Sequence, residues 1–313
     1  MSVILIFKGD ILPKSIWVST CKYQIVQVVA GPTGIQTARE MAAKLDVNEV
    51  IPEYKIFPDG ETYIRLPDQL DDEIIIVQSC YYPQDSNLFQ LLNLIRTVKQ
   101  IVDAKITCYI PYMCYARMDR SVHPGEAITI NTVLYLLEAV GVDHLITLDI
   151  HNPDVLNRTK MKTTNVYPKI SMKNYLVNHL NQLQNLQVVA PDQGALGRAK
   201  SLADELEIGY TALYKKRDPT TGNVDLRLGD AEFTSNEVII VDDIISTGGT
   251  LVKASNLLTI NGISTIHYLI THALGTESVD KLREIGNGLV VATDSIKTVI
   301  GKISAVEDII RVI

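Results

Sequence analysis

Residues 238–250 read VIIVDDIISTGGT, and their order decides the fold class. Val238 to Val241 are apolar without alternation, as in a strand buried on both faces of a parallel sheet. Asp242 and Asp243 then emerge at its carboxyl end, where open α/β sheets bind ligands. Ser246, Thr247, Gly248, Gly249 and Thr250 follow and open a helix. Glycine lets backbone approach a ligand, and free amides at a helix start, with three hydroxyls, make an anion cradle. The acidic pair cannot face that phosphate; it suits sugar hydroxyls or a magnesium ion. The stretch therefore reads as a sugar-phosphate site. The plainer alternative is a turn and helix cap with two solvated acids, which the length and context of the motif disfavour. A GxxxxGK[ST] phosphate loop is absent.

Working outward, similar short runs recur at 74–77, 106–110, 145–150, 187–190, 266–270 and 289–292. Between them lie helical patterns. After Asp85-Ser86, a candidate cap, Leu88, Leu91, Leu92, Ile95 and Val98 share one face. A second helix runs from Thr129 to Ala139 and stops at Gly141. A third follows Gly248-Gly249-Thr250. Such alternation predicts an α/β fold. The polar segment between Asn152 and Thr164, with Pro153, suggests a domain boundary. Lys215 to Gly229 is charged, carries Pro219, and reads as a long loop. An echo between residues 145–149 and 238–243 hints at duplication.

The chain has 313 residues, a length suited to about two domains. Hydrophobic residues form 46% and charged residues 21%, which excludes disordered, collagenous and coiled-coil classes. A net charge of −7 argues against non-specific nucleic-acid binding, while a local basic pocket for phosphate substrates is still compatible. Cys21, Cys80, Cys108 and Cys114 form no CxxC pair, so no structural zinc is expected. No signal peptide and no membrane span are expected, and the reading is a reduced, cytoplasmic protein with no nucleic-acid or membrane partner.

Other stretches carry chemistry. In YARMDR, residues 115–120, two arginines beside aromatics follow a strand and suit a nucleotide, with an ordinary acid-paired basic loop as the alternative. His151 and Asp192 each follow a strand and would share one sheet edge. Asp192 is a natural magnesium ligand; His151 is either a ligand or a hydrogen-bonded core residue. Asp192-Gln-Gly-Ala195 makes a tight turn. Lys215, Lys216 and Arg217 read locally as a solvated basic run, and Phe57 to Glu61 as a turn. His123, His144, His179, His267 and His272 read as structural or solvated.

Together these motifs resemble ribose-phosphate pyrophosphokinases, the phosphoribosyl-pyrophosphate (PRPP) synthetase family. Residues 238–250 resemble the PRPP loop that the family shares with phosphoribosyltransferases. FPDGE (57–61), PYMCYARMDR (111–120), TLDIH (147–151) and PDQGA (191–195) resemble synthetase signatures in the synthetase order. The resemblance covers residues 28 to 313, and spacing and the STGGT form are similar to the archaeal branch. It implies two similar phosphoribosyltransferase-like domains, 26–157 on the ATP side and 158–313 on the ribose 5-phosphate side, after an extension at 1–25. It further implies transfer of the pyrophosphoryl group of ATP to ribose 5-phosphate, giving PRPP and AMP, with magnesium as cofactor.

By resemblance, Phe57, Asp59, Glu61, Arg117, Met118, Asp119 and His151 bind ATP. Phe57, Asp59 and Glu61 serve a neighbouring subunit's site, so a homo-oligomer is implied. Asp192, Asp242, Asp243 and residues Ser246 to Thr250 surround ribose 5-phosphate. His151 and Asp192 hold the metal, and Lys216 with Arg217, on a flexible loop, are catalytic. Three residues depart from the family pattern: Met118 stands for glutamine, Ala195 for a second glycine, and Ser246 for an aspartate. Three alternatives are weaker. A phosphoribosyltransferase that consumes PRPP lacks YARMDR and FPDGE, a non-catalytic regulatory homologue should lack Lys216, Arg217 and the acidic pair, and an oxidoreductase should show GxGxxG.

Overall fold

A computed structural model of the chain describes residues 26–217, 224–228 and 231–313. The extension expected at 1–25 lies outside the described residues.

The first half contains β1 (Val26–Ala30), α1 (Ile35–Leu45), β2 (Asn48–Val50), β3 (Glu53–Ile56), β4 (Thr62–Arg65), β5 (Glu73–Val77), α2 (Gln84–Ile101), β6 (Lys105–Ile110), α3 (Thr129–Val140), β7 (His144–Leu148) and β8 (Lys162–Val166). The second contains α4 (Lys169–His179), β9 (Gln187–Ala190), α5 (Leu196–Leu206), β10 (Gly209–Ala212), β11 (Tyr214–Arg217), β12 (Val224–Arg227), β13 (Glu237–Ile245), α6 (Gly249–Ile260), β14 (Thr265–Ala273), α7 (Val279–Gly286), β15 (Asn287–Thr293), β16 (Gly301–Ile303) and α8 (Val306–Ile310).

Two six-stranded sheets result, ordered β2-β1-β5-β6-β7-β8 and β10-β9-β13-β14-β15-β16, and each is parallel throughout. Parallel strands need crossovers, and the helices that supply them cover both faces. One face of the first sheet packs Ile74, Ile76, Ile106 and Leu145 on Leu91, Ile95 and Leu134. Its other face packs Val28, Ile75 and Ile146 on Met41 and Ala38. The second sheet is sandwiched likewise, with Leu251 and Leu258 on one side and Leu202 and Met172 on the other.

The division between sheets differs from the expected 157/158 boundary. β8 pairs with β7, Leu148 opposite Val166, so the first sheet extends past that point. The chain also returns: Val306 and Ile309 of α8 pack with Val28 and Met41 of the first half. Asp308 meanwhile caps α4, accepting from Ile170 N at 3.0 Å and Ser171 N at 2.9 Å. Burial of an apolar helix face, rather than sequence position, decides where α8 belongs.

Three local expectations change. α2 begins after Pro83 with no side-chain cap; Asp85 instead accepts from the Tyr115 hydroxyl. The charged stretch expected to be a loop forms the arms of an antiparallel hairpin, with Lys216 opposite Asp225 and Arg217 opposite Val224. Its tip, 218–223, lies outside the described residues. The duplication is real in topology, but β7 and β13 are not its equivalent strands: by sheet order β7 matches β15, and β13 matches β5. Cys80, Cys108 and Cys114 are buried free thiols.

Candidate active site

β13 runs for nine residues against the four apolar ones that announce it. Pairing with β14 continues through Asp242–Ile270 and Ile244–His272, because backbone hydrogen bonds do not require apolar side chains. The strand therefore carries the acidic pair into the sheet's carboxyl edge. Asp243 is buried, at 7% exposure. Gly248 follows with φ +71°, and a Cβ there would lie 1.9 Å from Ser278 Oγ, so only glycine fits. α6 starts with neither a side-chain cap nor an acid in its first turn, leaving its amides for an anion.

Four distant stretches meet here around a cavity of about 400 Å³. Its walls are Asp242, Asp243 and Ser246 to Thr250 from the β13–α6 turn, Asp192 and Gly194 after β9, His151 after β7, and Arg117 after β6. His151 Nδ1 lies 2.6 Å from Asp243 Oδ2, and its side chain is 44% exposed. It is thus a cavity residue and not a core histidine. Its Nε2 has no hydrogen bond among the described residues. Asp192 Oδ1 accepts from Gly194 N at 2.9 Å, which tightens the turn that holds it. Ala195 adopts φ −89°, so alanine stands there without strain.

Arg198 is the residue that the sequence motifs missed. It lies on α5, 13% exposed, with Nε 2.7 Å from Asp149 Oδ1 and an Nη 3.6 Å from Asp243 Oδ2. Asp149 also accepts from Thr271 Oγ1 at 2.6 Å. Burial works against the Asp243 carboxylate, yet the His151 hydrogen bond and the Arg198 charge hold it below the usual range. Asp242 goes the other way, well above the usual range, through burial and then the charge of Asp243. Burial also lifts Asp149, with Arg198 and Thr271 opposing. Burial opposes the Arg198 charge too, but Asp149 and Asp243 keep it firmly protonated.

The remaining expected residues fall in three places. Met118 is exposed beside the cavity, and Asp119 accepts from Asn152 Nδ2 at 2.6 Å, tying this loop to the segment of His151. Phe57, Asp59 and Glu61 occupy the tip of the β3–β4 hairpin. There Gly60 has φ +92° and Phe57 N donates to Glu61 O at 2.8 Å. Asp59 and Glu61 line a separate cleft with Asp85, Ser86 and Phe89, so a single chain does not bring them to the cavity. Lys216 and Arg217 have their backbone in β11. Of the other described histidines, His144 bonds to Thr164 at 2.8 Å and His267 to Glu237 at 2.8 Å, whereas His123 is exposed.

Comparison with known proteins identifies the family. Residues 26–141 match the family model described as the N-terminal domain of ribose phosphate pyrophosphokinase, and 163–287 match the phosphoribosyl transferase domain. A ribose-phosphate pyrophosphokinase of Saccharolobus solfataricus is 35% identical over 275 residues, 86% of this chain and 93% of that protein. The chain belongs to the ribose-phosphate pyrophosphokinase family. Another ribose-phosphate pyrophosphokinase, from Pyrococcus abyssi, is 37% identical, covering 84% of this chain and 90% of that one. In fold, the chain is similar to the phosphoribosylpyrophosphate synthetase of Mycobacterium smegmatis, with TM-score 0.75 over 90% of this chain and 92% of that one at 24% identity. Like the relatives it matches, then, it is an enzyme, a ribose-phosphate pyrophosphokinase in class. Both family matches leave out residues 1–25, and the second ends at the first residue of β15, before β16 and α8.

Proposed function

We propose that the chain transfers the pyrophosphoryl group of ATP to the anomeric hydroxyl of ribose 5-phosphate, releasing PRPP and AMP. One observation carries this reading: a single cavity joins an acidic pair, an uncapped helix start and, from the other half, His151 and Arg117. The Ser246 to Thr250 loop holds the 5-phosphate on the α6 amides. Asp242 and Asp243 accept from the ribose hydroxyls, which leaves the anomeric oxygen facing the β-phosphorus; this is catalysis by proximity and orientation. Arg117, Lys216 and Arg217 neutralise the charge that builds on the transferred phosphates. No side-chain nucleophile is required.

The donor set suits magnesium. Three carboxylates line the cavity, and Asp242 forms no ion pair among the described residues although burial and Asp243 penalise its charge. Asp243 on Nδ1 turns the His151 ring so that Nε2 serves as the donor, the arrangement common for metal-bound imidazole. No group of three or more metal-binding side chains exists among the described residues. Asp192 and His151 would therefore hold the ion together with phosphate oxygens and water, as magnesium prefers. When bound it supplies charge neutralisation on the ATP phosphates.

The β3–β4 tip, with Phe57 for stacking and Asp59 and Glu61 as acceptors, serves the nucleotide of a second copy in a homo-oligomer. The setting is cytoplasmic; among the described residues no helix is long and apolar enough to cross a membrane. The test is incubation with ATP, magnesium and ribose 5-phosphate. AMP and PRPP are the expected products; ADP in place of AMP would mean a simple kinase and reject the assignment.

A further inference from the structure

The two halves repeat one another, and the repeat supplies an internal control for the cavity. Gln27 pairs with Asn48 and Ile74 as Gln187 pairs with Gly209 and Val238. α1 and α5 both have 11 residues and both end on a left-handed residue, Asp46 at φ 56° and Glu207 at φ 59°. Asp149 N donates to Val166 O at 2.7 Å, and Asp294 N donates to Ile303 O at 2.8 Å, at matching strand ends. Continuing the registers, Asp149 corresponds to Asp294, Arg198 to Thr37, Thr271 to Pro111, and His151 to Ile296.

The fold thus places an aspartate at the end of both strands but gives only one of them partners. Asp149 has Arg198 and Thr271. Asp294 has a backbone amide, Ala305 N at 3.4 Å, and no side-chain partner among the described residues. Since Thr37 and Pro111 fill the matching positions, the architecture does not require the ion pair. Replacing a buried pair by apolar groups is often neutral or stabilising, so its presence calls for another reason.

The geometry of the guanidinium supplies one. Arg198 touches three stretches at once: Nε on Asp149 after β7 at 2.7 Å, Nη1 on Gly194 O after β9 at 3.2 Å, and Nη2 3.6 Å from Asp243 on β13. Asp243 in turn holds His151. On the function proposed above, we infer that Arg198 is a positioning residue for pyrophosphoryl transfer: anchored on Asp149, it fixes the Asp243 carboxylate and, through it, the His151 ring. A planar fork can hold three partners in set directions, which the point charge of a lysine cannot.

The test is a double-mutant cycle on kcat/KM for AMP formation, with wild type in parallel. Arg198→Met should lose about 100-fold, the scale of one preorganised polar contact. In the Asp243→Asn background the same change should cost less than about threefold, because residues acting as one unit are non-additive. Arg198→Lys, which keeps the charge without the fork, should stay at least about tenfold below wild type. Asp294→Asn, at the matching strand end, should leave kcat/KM unchanged. A structural role is separated by the pair Asp149→Asn, Arg198→Met, which removes both buried charges: thermal midpoint should recover relative to Arg198→Met while activity stays low. The proposal fails if Arg198→Met stays within about threefold of wild type, if its loss multiplies with that of Asp243→Asn, or if activity recovers along with stability. Should the wild type form no AMP, the pyrophosphoryl reading fails separately, and the same cycle is read from calorimetric affinity for ribose 5-phosphate.

Discussion

Asp243→Asn should weaken ribose 5-phosphate far more than ATP. Asp243 is buried, with Oδ2 2.6 Å from His151 Nδ1 and 3.6 Å from an Nη of Arg198. The amide keeps size and one acceptor. If that oxygen still accepts from His151, the NH2 group replaces the second oxygen and loses a charged acceptor for the sugar. A hydrogen bond to a charged group contributes about 1.5–3 kcal/mol, so ribose 5-phosphate affinity should fall by about 10- to 150-fold. ATP should lose less than about threefold, since the His151 contact survives and Arg117 and Lys216, proposed to neutralise its phosphates, keep their charges. Arg198 keeps Asp149 at 2.7 Å, so it is not stranded and the thermal midpoint should drop by only a few degrees, about 1 kcal/mol's worth. The assay is isothermal calorimetry with each ligand alone, after circular-dichroism melts establish folding. Unchanged ribose 5-phosphate affinity, or a larger loss for ATP, would refute the assignment of this strand end to the sugar.

Lys216→Ala should lower turnover by about 100-fold or more while ATP still binds, because one preorganised charge contributes that much; equal turnover would leave Lys216 as a solvated strand residue. Mixing a Phe57→Ala, Asp59→Ala protein with an Asp242→Asn, Asp243→Asn protein under subunit exchange should restore part of the activity, since a hybrid interface pairs one intact hairpin tip with one intact sugar loop; verified exchange without recovery would reduce the tip to a structural turn. His272 should make stability fall with acid. Burial lowers its pKa from 6.5 to about 4, so the unfolded chain binds the proton first. Stability is then present above pH 6.5 and lost as pH drops toward 4, by up to about 3 kcal/mol, and His272→Gln should flatten that slope in urea melts across this range.

Much of this was legible along the chain, because the deciding signals are local. A strand buried on both faces needs a continuous apolar run, and Ile74–Val77, Ile106–Ile110 and Gln187–Ala190 match β5, β6 and β9 within a residue. A tight turn against a helix start needs glycine, so Gly248 and Gly249 mark the β13–α6 loop where it stands. Asp242, Asp243 and the hydroxyls travel with that loop, which makes this half of the site a sequence property.

Only the tertiary structure could decide what depends on partners distant in the chain. β2 and β16, three residues each at sheet edges, exist by pairing with a neighbour and leave almost no pattern. β11 is Tyr214 followed by three charged residues, and β12 alternates over only four, Val224-Asp225-Leu226-Arg227, which is too short to announce a hairpin by itself. α8 belongs with the first half because its apolar face finds Met41 there. Arg198 illustrates the limit most clearly. On α5 it is one more basic residue of an amphipathic helix, and Asp149 is one more acid after a strand. Their meaning arises when folding sets them 2.7 Å apart beside Asp243, because charge interactions depend on distance and burial, and neither is written in the spacing of residues along the chain.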